Sequence, residues 1–205
     1  GKTPHCRGGG NVIGNGSGCR LFDLGANAVI ADLKAEDAQE GDAQIIDQGG
    51  QALAVSCNVV KDEDLVNLVN QTVAQFGALH ILVNNVGGGG AGRESPEQIT
   101  VEQFARVFQL NVFSLWRLSQ LCAPHMKKSG YGSIINMSSM SSVNNSPAIS
   151  AYASSKAAIN HMTSNLAFDY GPEIRVNAIG PGAVRTNALA SVLTPEIKKK
   201  MLEHT

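Results

Sequence analysis

The sequence predicts an α/β fold, organised as a single domain around a doubly wound parallel sheet. Three observations carry that prediction. Five short, almost continuously apolar runs read as strands: AVIAD (28–32), ALAVSCNV (52–59), LHILVNN (79–85), GSIINMSS (132–139) and IRVNAIG (174–180). Such runs are what strands covered on both faces require. Longer segments of helical period alternate with them, the order that builds a parallel sheet with helices on its faces. The carboxyl ends of the runs open into loops rich in Gly, Asn and Ser, where a sheet of this kind places its ligands. At 205 residues, the chain can bury one sizeable core.

Taken in order, the chain opens with the glycine-rich stretch RGGGNVIGNGSG (7–18), followed by the first clear strand, which ends at Asp32. After the second strand, Leu65, Leu68, Val69, Thr72, Val73 and Phe76 recur at three- and four-residue steps. That spacing puts them on one helix face, with Asp62 expected as the N-cap. Thr100 and Gln103 have the spacing of a capping box. They predict a long helix running through Phe104, Phe108, Val112 and Leu115. Tyr152–Tyr170 is a further helical pattern, stopped by Gly171-Pro172, and Thr194-Pro195-Glu196 opens a last one. There is no internal repeat and no linker long enough to divide the chain.

Composition removes several classes of function. The net charge is −1, and the longest basic run, Lys198–Lys200, reads as a solvated helix face, so neither nucleic acid nor an anionic membrane is an expected partner. No apolar run approaches the roughly 20 residues of a membrane span, and no signal-peptide pattern opens the chain. Cys6, Cys19, Cys57 and Cys122 lack CxxC spacing and the histidines form no HExxH. Reduced thiols, no metal and a cytoplasmic location are therefore expected.

The chemistry concentrates in the second half. Tyr152 and Lys156, in YASSK, lie on one helix face. A phenol is a poor proton donor or acceptor near neutrality, and a neighbouring ammonium stabilises its phenolate. Upstream, NMSSMSS ends a predicted strand and offers a hydroxyl to polarise a substrate carbonyl. The residue types alone do not choose between Ser138 and Ser139, and a serine-rich turn is the plain structural reading. Asn84-Asn85-Val86-Gly87 ends another strand, and its residues are also ordinary turn formers.

In combination, NNVG (84–87), Asn111 in LNVFS, Ser139, Tyr152/Lys156 and PGAVRT (181–186) resemble the short-chain dehydrogenases/reductases, in register from about Gly25 to Thr205. The resemblance implies a Rossmann-type fold and hydride transfer between nicotinamide and a secondary alcohol or ketone. Tyr152 would be the acid/base and Ser139 would orient the carbonyl. Lys156 would bind the nicotinamide ribose and favour the tyrosine phenolate. Asn111 would hold a water linking Lys156 to solvent. Cofactor contacts would come from Gly8, Asn11, Ile13, Gly14, Asp32, Asn58, Val59, Asn85, Val86, Gly87, Tyr152, Lys156, Pro181, Gly182, Val184 and Thr186. Asp32 lies 18 residues after Gly14. A carboxylate there accepts from a ribose 2′-OH and repels a 2′-phosphate, so NAD rather than NADP is expected.

The loops GGGGAG (87–92), SSMSSVNN (138–145) and LTPEIKKKMLEHT (193–205) most resemble family members acting on hydroxysteroids of the 7α-hydroxy bile-acid type. Substrate contacts would be Ser139, Asn144 and Tyr152. A 3-oxoacyl-thioester or small-carbonyl reductase is the alternative, and a catalytically silent binding protein the alternative of another class. The family continues past the position of Thr205 through another helix and the last strand, and usually forms homotetramers.

The opening loop departs from the family pattern. Gly8, Ile13 and Gly14 match, but Arg7 and Val12 replace a threonine and a glycine. Pro4 precedes them, where a central strand needs an N–H donor. Read one nucleotide forward, the codons open to Asn15–Leu24 permit the alanine-rich helix of the family. If the residues stand as written, weak NAD binding is expected.

Overall fold

In the computed structural model, residues 12–89, 94–182 and Val184 are described. The N-terminal helix α1 (Val12–Asp23) leads into β1 (Ala28–Asp32), α2 (Ala35–Ile46), β2 (Ala52–Ser56), α3 (Asp62–Phe76) and β3 (Ile81–Asn84). The second half continues with α4 (Val101–Phe108), a π-helical turn (Gln109–Phe113), α5 (Ser114–Lys128), β4 (Gly132–Met137), a 3-10 turn (Met140–Ser142), α6 (Ser150–Tyr170) and β5 (Ile174–Ile179). All five predicted strands form: β1 with its predicted bounds, β2, β4 and β5 shortened at their carboxyl ends, and β3 shortened at both ends.

Among the described residues every strand pairing is parallel. β1 pairs with β2 in register Ala28↔Ala52 to Asp32↔Ser56. β4 is flanked by β3 and β5, with Asn84 opposite Asn136 and Met137 opposite Ile179. One buried apolar cluster runs through both strand groups, joining Val55 of β2 to Ile134 of β4 and to Ile174 and Val176 of β5. Leu65, Leu68 and Val69 of α3 and Leu118, Cys122 and Met126 of α5 complete it. The periodicity that predicted α3 is thus the face that meets the core. Between β1 and β3 lies a cavity of about 220 Å³, walled by both groups.

Several expectations change. Asp62 is the first residue of α3 rather than its cap, since Lys61 holds the N-cap position without a side-chain bond. The Thr100/Gln103 capping box forms as predicted. The long helix that it opens does not stay α-helical, because the π-turn interrupts it at Gln109–Phe113. Helix α6 begins at Ser150, two residues before the predicted start. Helix α2 was not legible in AEDAQEGDAQII, which buries only Ala38, Gly41 and Ile45. Cys19 is disulfide-bonded, against the expectation of reduced thiols. Cys57 and Cys122 are free and buried. Burial, with Asp64 adding to it, pushes the Cys57 thiol up to about 11, and burial alone pushes Cys122 up to about 12, so both stay protonated. The helix expected from Thr194 lies outside the described residues. Among the described residues, no helix is long and apolar enough to cross a membrane.

Candidate active site

The carboxyl ends of β3, β4 and β5 and the first turns of α6 converge. Helical spacing puts Tyr152 and Lys156 on one face of α6, and the Lys156 amine sits 5.6 Å from the centre of the Tyr152 ring. Lys156 is only 3% exposed. Its Nζ donates to the Met137 carbonyl at the end of β4, at 2.8 Å. Burial pushes this ammonium down to about 8 from its usual 10.5, because a charge loses solvation there that one carbonyl does not replace.

The choice between the two serines is made by packing. Ser138 is buried and its hydroxyl donates to the Lys156 carbonyl at 3.2 Å. Ser139 is half-buried and starts the 3-10 turn. Its Oγ accepts from the Ser141 amide at 3.2 Å and from the Ser141 hydroxyl at 2.9 Å. Ser138 thus serves the fold, while the Ser139 hydroxyl is half-buried at the start of the turn. The turn is tied back to α6 by Asn160, whose Nδ2 donates to Ser142 Oγ at 2.8 Å. The loop after β5 leans on the same turn, with the Met140 amide donating to Pro181 O at 3.0 Å. Asn144 is exposed on the next stretch.

Asn111 lies in the π-turn and is fully buried. Its Oδ1 accepts from the Gly88 amide at 2.9 Å. Its Nδ2 donates to Gly88 O at 2.9 Å and to Ser155 Oγ at 2.8 Å. The side chain thus braces the loop after β3 against α6. A Cβ at Gly87 would stand 2.9 Å from Lys156 Nζ and 3.4 Å from Asn111 Oδ1. This close approach explains the glycine of NNVG, a role that its residue types did not distinguish from a turn.

On the cofactor side, five expected residues, Gly14, Asp32, Val59, Asn85 and Val86, line the cavity between β1 and β3. Asp32 is half-buried at the end of β1, and its Oδ1 accepts from the Lys34 amide at 3.3 Å. Asn58 accepts from the Val60 amide at 3.2 Å through its own Oδ1, and its backbone amide donates to Asp64 at 2.8 Å. Ile13 lies in the first turn of α1. Gly182 and Val184 are exposed and Pro181 half-buried. Gly8, Asn11 and Thr186 lie outside the described residues.

Asn84 was open in the sequence to the plain reading of a sheet brace, but its partners gave no signal. Asn84 Nδ2 donates to Asn136 Oδ1 at 3.0 Å and to Ser119 Oγ at 3.3 Å, and Asn136 Nδ2 donates to Thr163 Oγ1 at 2.9 Å. Asn136 and Ser119 are fully buried. Ser155, also fully buried, donates to Tyr152 O at 2.7 Å while accepting from Asn111. An apolar run interrupted by one asparagine, as in GSIINM, is the only signal that could have flagged such a network.

Comparison with known proteins identifies the family. A family model described as short chain dehydrogenase matches residues 6–196. The 7α-hydroxysteroid dehydrogenase of Escherichia coli is 43% identical over 206 residues, covering all of this chain and 80% of that protein. The 4-formylbenzenesulfonate dehydrogenase of Comamonas testosteroni is 33% identical over 201 residues, covering 95% of this chain and 79% of its own. Among solved structures, a 7α-hydroxysteroid dehydrogenase complexed with NADH and 7-oxo glycochenodeoxycholic acid matches with a TM-score of 0.86 at 41% identity. The match covers 95% of this chain and 76% of that one. NAD⁺-bound xylitol dehydrogenase matches at 0.85 with 28% identity, over 94% and 80% of the two chains. With a family model spanning most of its length and a relative this similar, the chain belongs to the short-chain dehydrogenase family and is an oxidoreductase acting on CH–OH groups.

Proposed function

We propose that this chain is an NAD-dependent dehydrogenase that interconverts a secondary alcohol and a ketone, with a 7α-hydroxysteroid as the substrate. The observation that carries the reading is the buried Lys156 ammonium, held 5.6 Å from the centre of the Tyr152 ring at the carboxyl end of β4. A charge kept in so unfavourable a place serves the neighbouring phenol.

The residues present suit a dinucleotide. Asp32 offers an acceptor to a ribose diol, and the missing Cβ of Gly87 leaves Lys156 reachable from the loop that follows β3. Asn85, Val86 and Lys156 would hold the nicotinamide half; Asp32, Asn58 and Val59 would hold the adenosine half. When bound, NAD supplies the hydride acceptor. The chain's own residues do the rest. Ser139 donates its hydroxyl to the substrate oxygen and fixes it beside Tyr152. The Tyr152 phenolic oxygen takes the alcohol proton in oxidation and returns it in reduction. Lys156 steadies the phenolate, and Asn111 locks the loop on which the reacting groups are aligned.

The substrate reading rests on the 43% identical Escherichia coli relative. A small-carbonyl or ring-alcohol substrate is the second reading, favoured by the relatives named for 4-formylbenzenesulfonate and cyclohexanol. Absorbance of reduced nicotinamide against 3α-, 7α-, 7β- and 12α-hydroxysteroids, with cyclohexanol as comparison, separates the two. Turnover restricted to 7α-hydroxysteroids is expected, with Tyr152→Phe losing at least about a hundredfold in kcat. Full activity in Tyr152→Phe overturns the mechanism. Nicotinamide binding without turnover of any alcohol would instead indicate a silent binding protein.

A further inference from the structure

Helix α6 carries Tyr152 at its third position but has no cap of its own, since Ile149 holds the N-cap position and makes no side-chain bond. The acceptor comes from far away in sequence. Glu94 Oε2 accepts from the Tyr152 amide at 2.9 Å, across 58 residues. Glu94 is only 5% exposed, and a carboxylate is rarely buried unless it has such work to do. Its backbone is stitched to the same place. The Glu94 amide donates to Ala148 O at 3.0 Å, and Glu94 forms an isolated parallel bridge with Ile149. Ala148 has φ 54°, left-handed backbone that costs energy for a residue with a Cβ. A turn held in that conformation needs restraint from outside itself.

Three contacts from one residue therefore restrain the strained end of the stretch that runs from Ser139 to Tyr152. The same carboxylate lies close to the loop after β3, where a Cβ on Gly89 would stand 3.2 Å from Oε1. We propose that Glu94 is a positioning residue of the active site: its buried carboxylate caps α6 at Tyr152 and fixes the turn that sets Ser139 against that tyrosine. Glu94 touches neither substrate nor cofactor in this role. The proposal rests on the reading of Tyr152 as the proton-transfer group.

The test compares Glu94→Ala, which removes the acceptor, with Glu94→Gln, which keeps an amide oxygen at the same reach. Amide hydrogen exchange at Tyr152 and the first turn of α6 is measured without substrate. It is expected to accelerate roughly tenfold in the alanine variant and to stay near wild type in the glutamine variant. On whichever alcohol the wild type oxidises best, kcat falls at least about tenfold in Glu94→Ala and recovers to within about threefold in Glu94→Gln. NADH affinity, followed by fluorescence, stays within about twofold in both. Unchanged exchange in Glu94→Ala, equal losses in both variants, or a parallel loss of NADH affinity overturns the proposal. If the wild type turns over no hydroxysteroid, the substrate reading fails while the exchange arm still decides the role of Glu94.

Discussion

Replacing Lys156 with methionine should make the protein inactive and, near neutral pH, more stable. The buried ammonium sits at about 8 instead of 10.5, so at pH 7 the folded state carries a penalty of about 3 kcal/mol, taking roughly 1.4 kcal/mol for each pH unit. At 3% exposure, no discount for solvent screening applies. Methionine keeps the length of the stem but leaves Met137 O without its 2.8 Å partner, a loss of about 1–2 kcal/mol. The net expectation is a gain of about 1–2 kcal/mol, or roughly 2–8 °C in Tm for a chain of this size. The sign depends on pH. The folded value lies below the unfolded one, so the wild-type penalty is complete below about 8 and fades as pH rises towards 10.5. Wild type should therefore gain on the variant through that window and overtake it at its upper end. Urea unfolding of both proteins without cofactor, at pH 7 and pH 10.5, measures the difference. A variant that is less stable at pH 7, or a difference that ignores pH, refutes the reasoning.

Three further outcomes follow from single contacts. Gly87→Ala places a Cβ 2.9 Å from Lys156 Nζ; the amine can swing aside, so Tm should hold within a few degrees while kcat falls about tenfold or more. Equal kcat would mean that the amine position is not critical. Asp32→Ala should shift the NAD-to-NADP preference, read as the ratio of kcat/KM values, by at least about tenfold towards NADP; an unmoved ratio removes Asp32 from cofactor choice. Thr163→Val leaves Asn136 Nδ2 without its 2.9 Å acceptor and should cost about 1–3 kcal/mol in urea unfolding; a neutral result would show that the buried amide finds another partner.

The strands were legible because those covered on both faces must be apolar almost throughout, and GSIINM shows five of its six positions buried; that the described ones pair as two parallel sheets, β1 with β2 and β3 with β4 and β5, was not. The Thr100/Gln103 box was legible because it is a local, reciprocal pair. The π-turn was not, because Phe108, Val112 and Leu115 fit ordinary α-helical spacing whether or not one residue is inserted. Helix α2 was hidden because only Ala38, Gly41 and Ile45 of it are buried, too few large apolar side chains to mark a helical period. Ser139 and Ser138 are indistinguishable as letters, and the strand end decides between them by turning one hydroxyl to the Lys156 carbonyl. Glu94 gave no signal, because its partner is 58 residues away.

The misses share a cause that bears on how the site works. Asn84 is the last residue of β3, and its register partner Asn136 is the next-to-last of β4, just before the functional loops leave the strands. Their side-chain bond fixes the ends of β3 and β4 against each other. Ser119 and Thr163 then tie that pair to α5 and α6, each through a hydroxyl that also donates to its own helix backbone. Among the described residues no buried side-chain polar atom lacks a partner, so the network rigidifies without leaving one alone. An apolar pair at 84 and 136 would pack as well but would leave the strand ends held only by ladder bonds. On this argument the network sets the separation between the NNVG loop and the Ser139 turn. Asn111 and Glu94 extend the same logic outward, joining loops to α6 through directional bonds where apolar contact would let them slide.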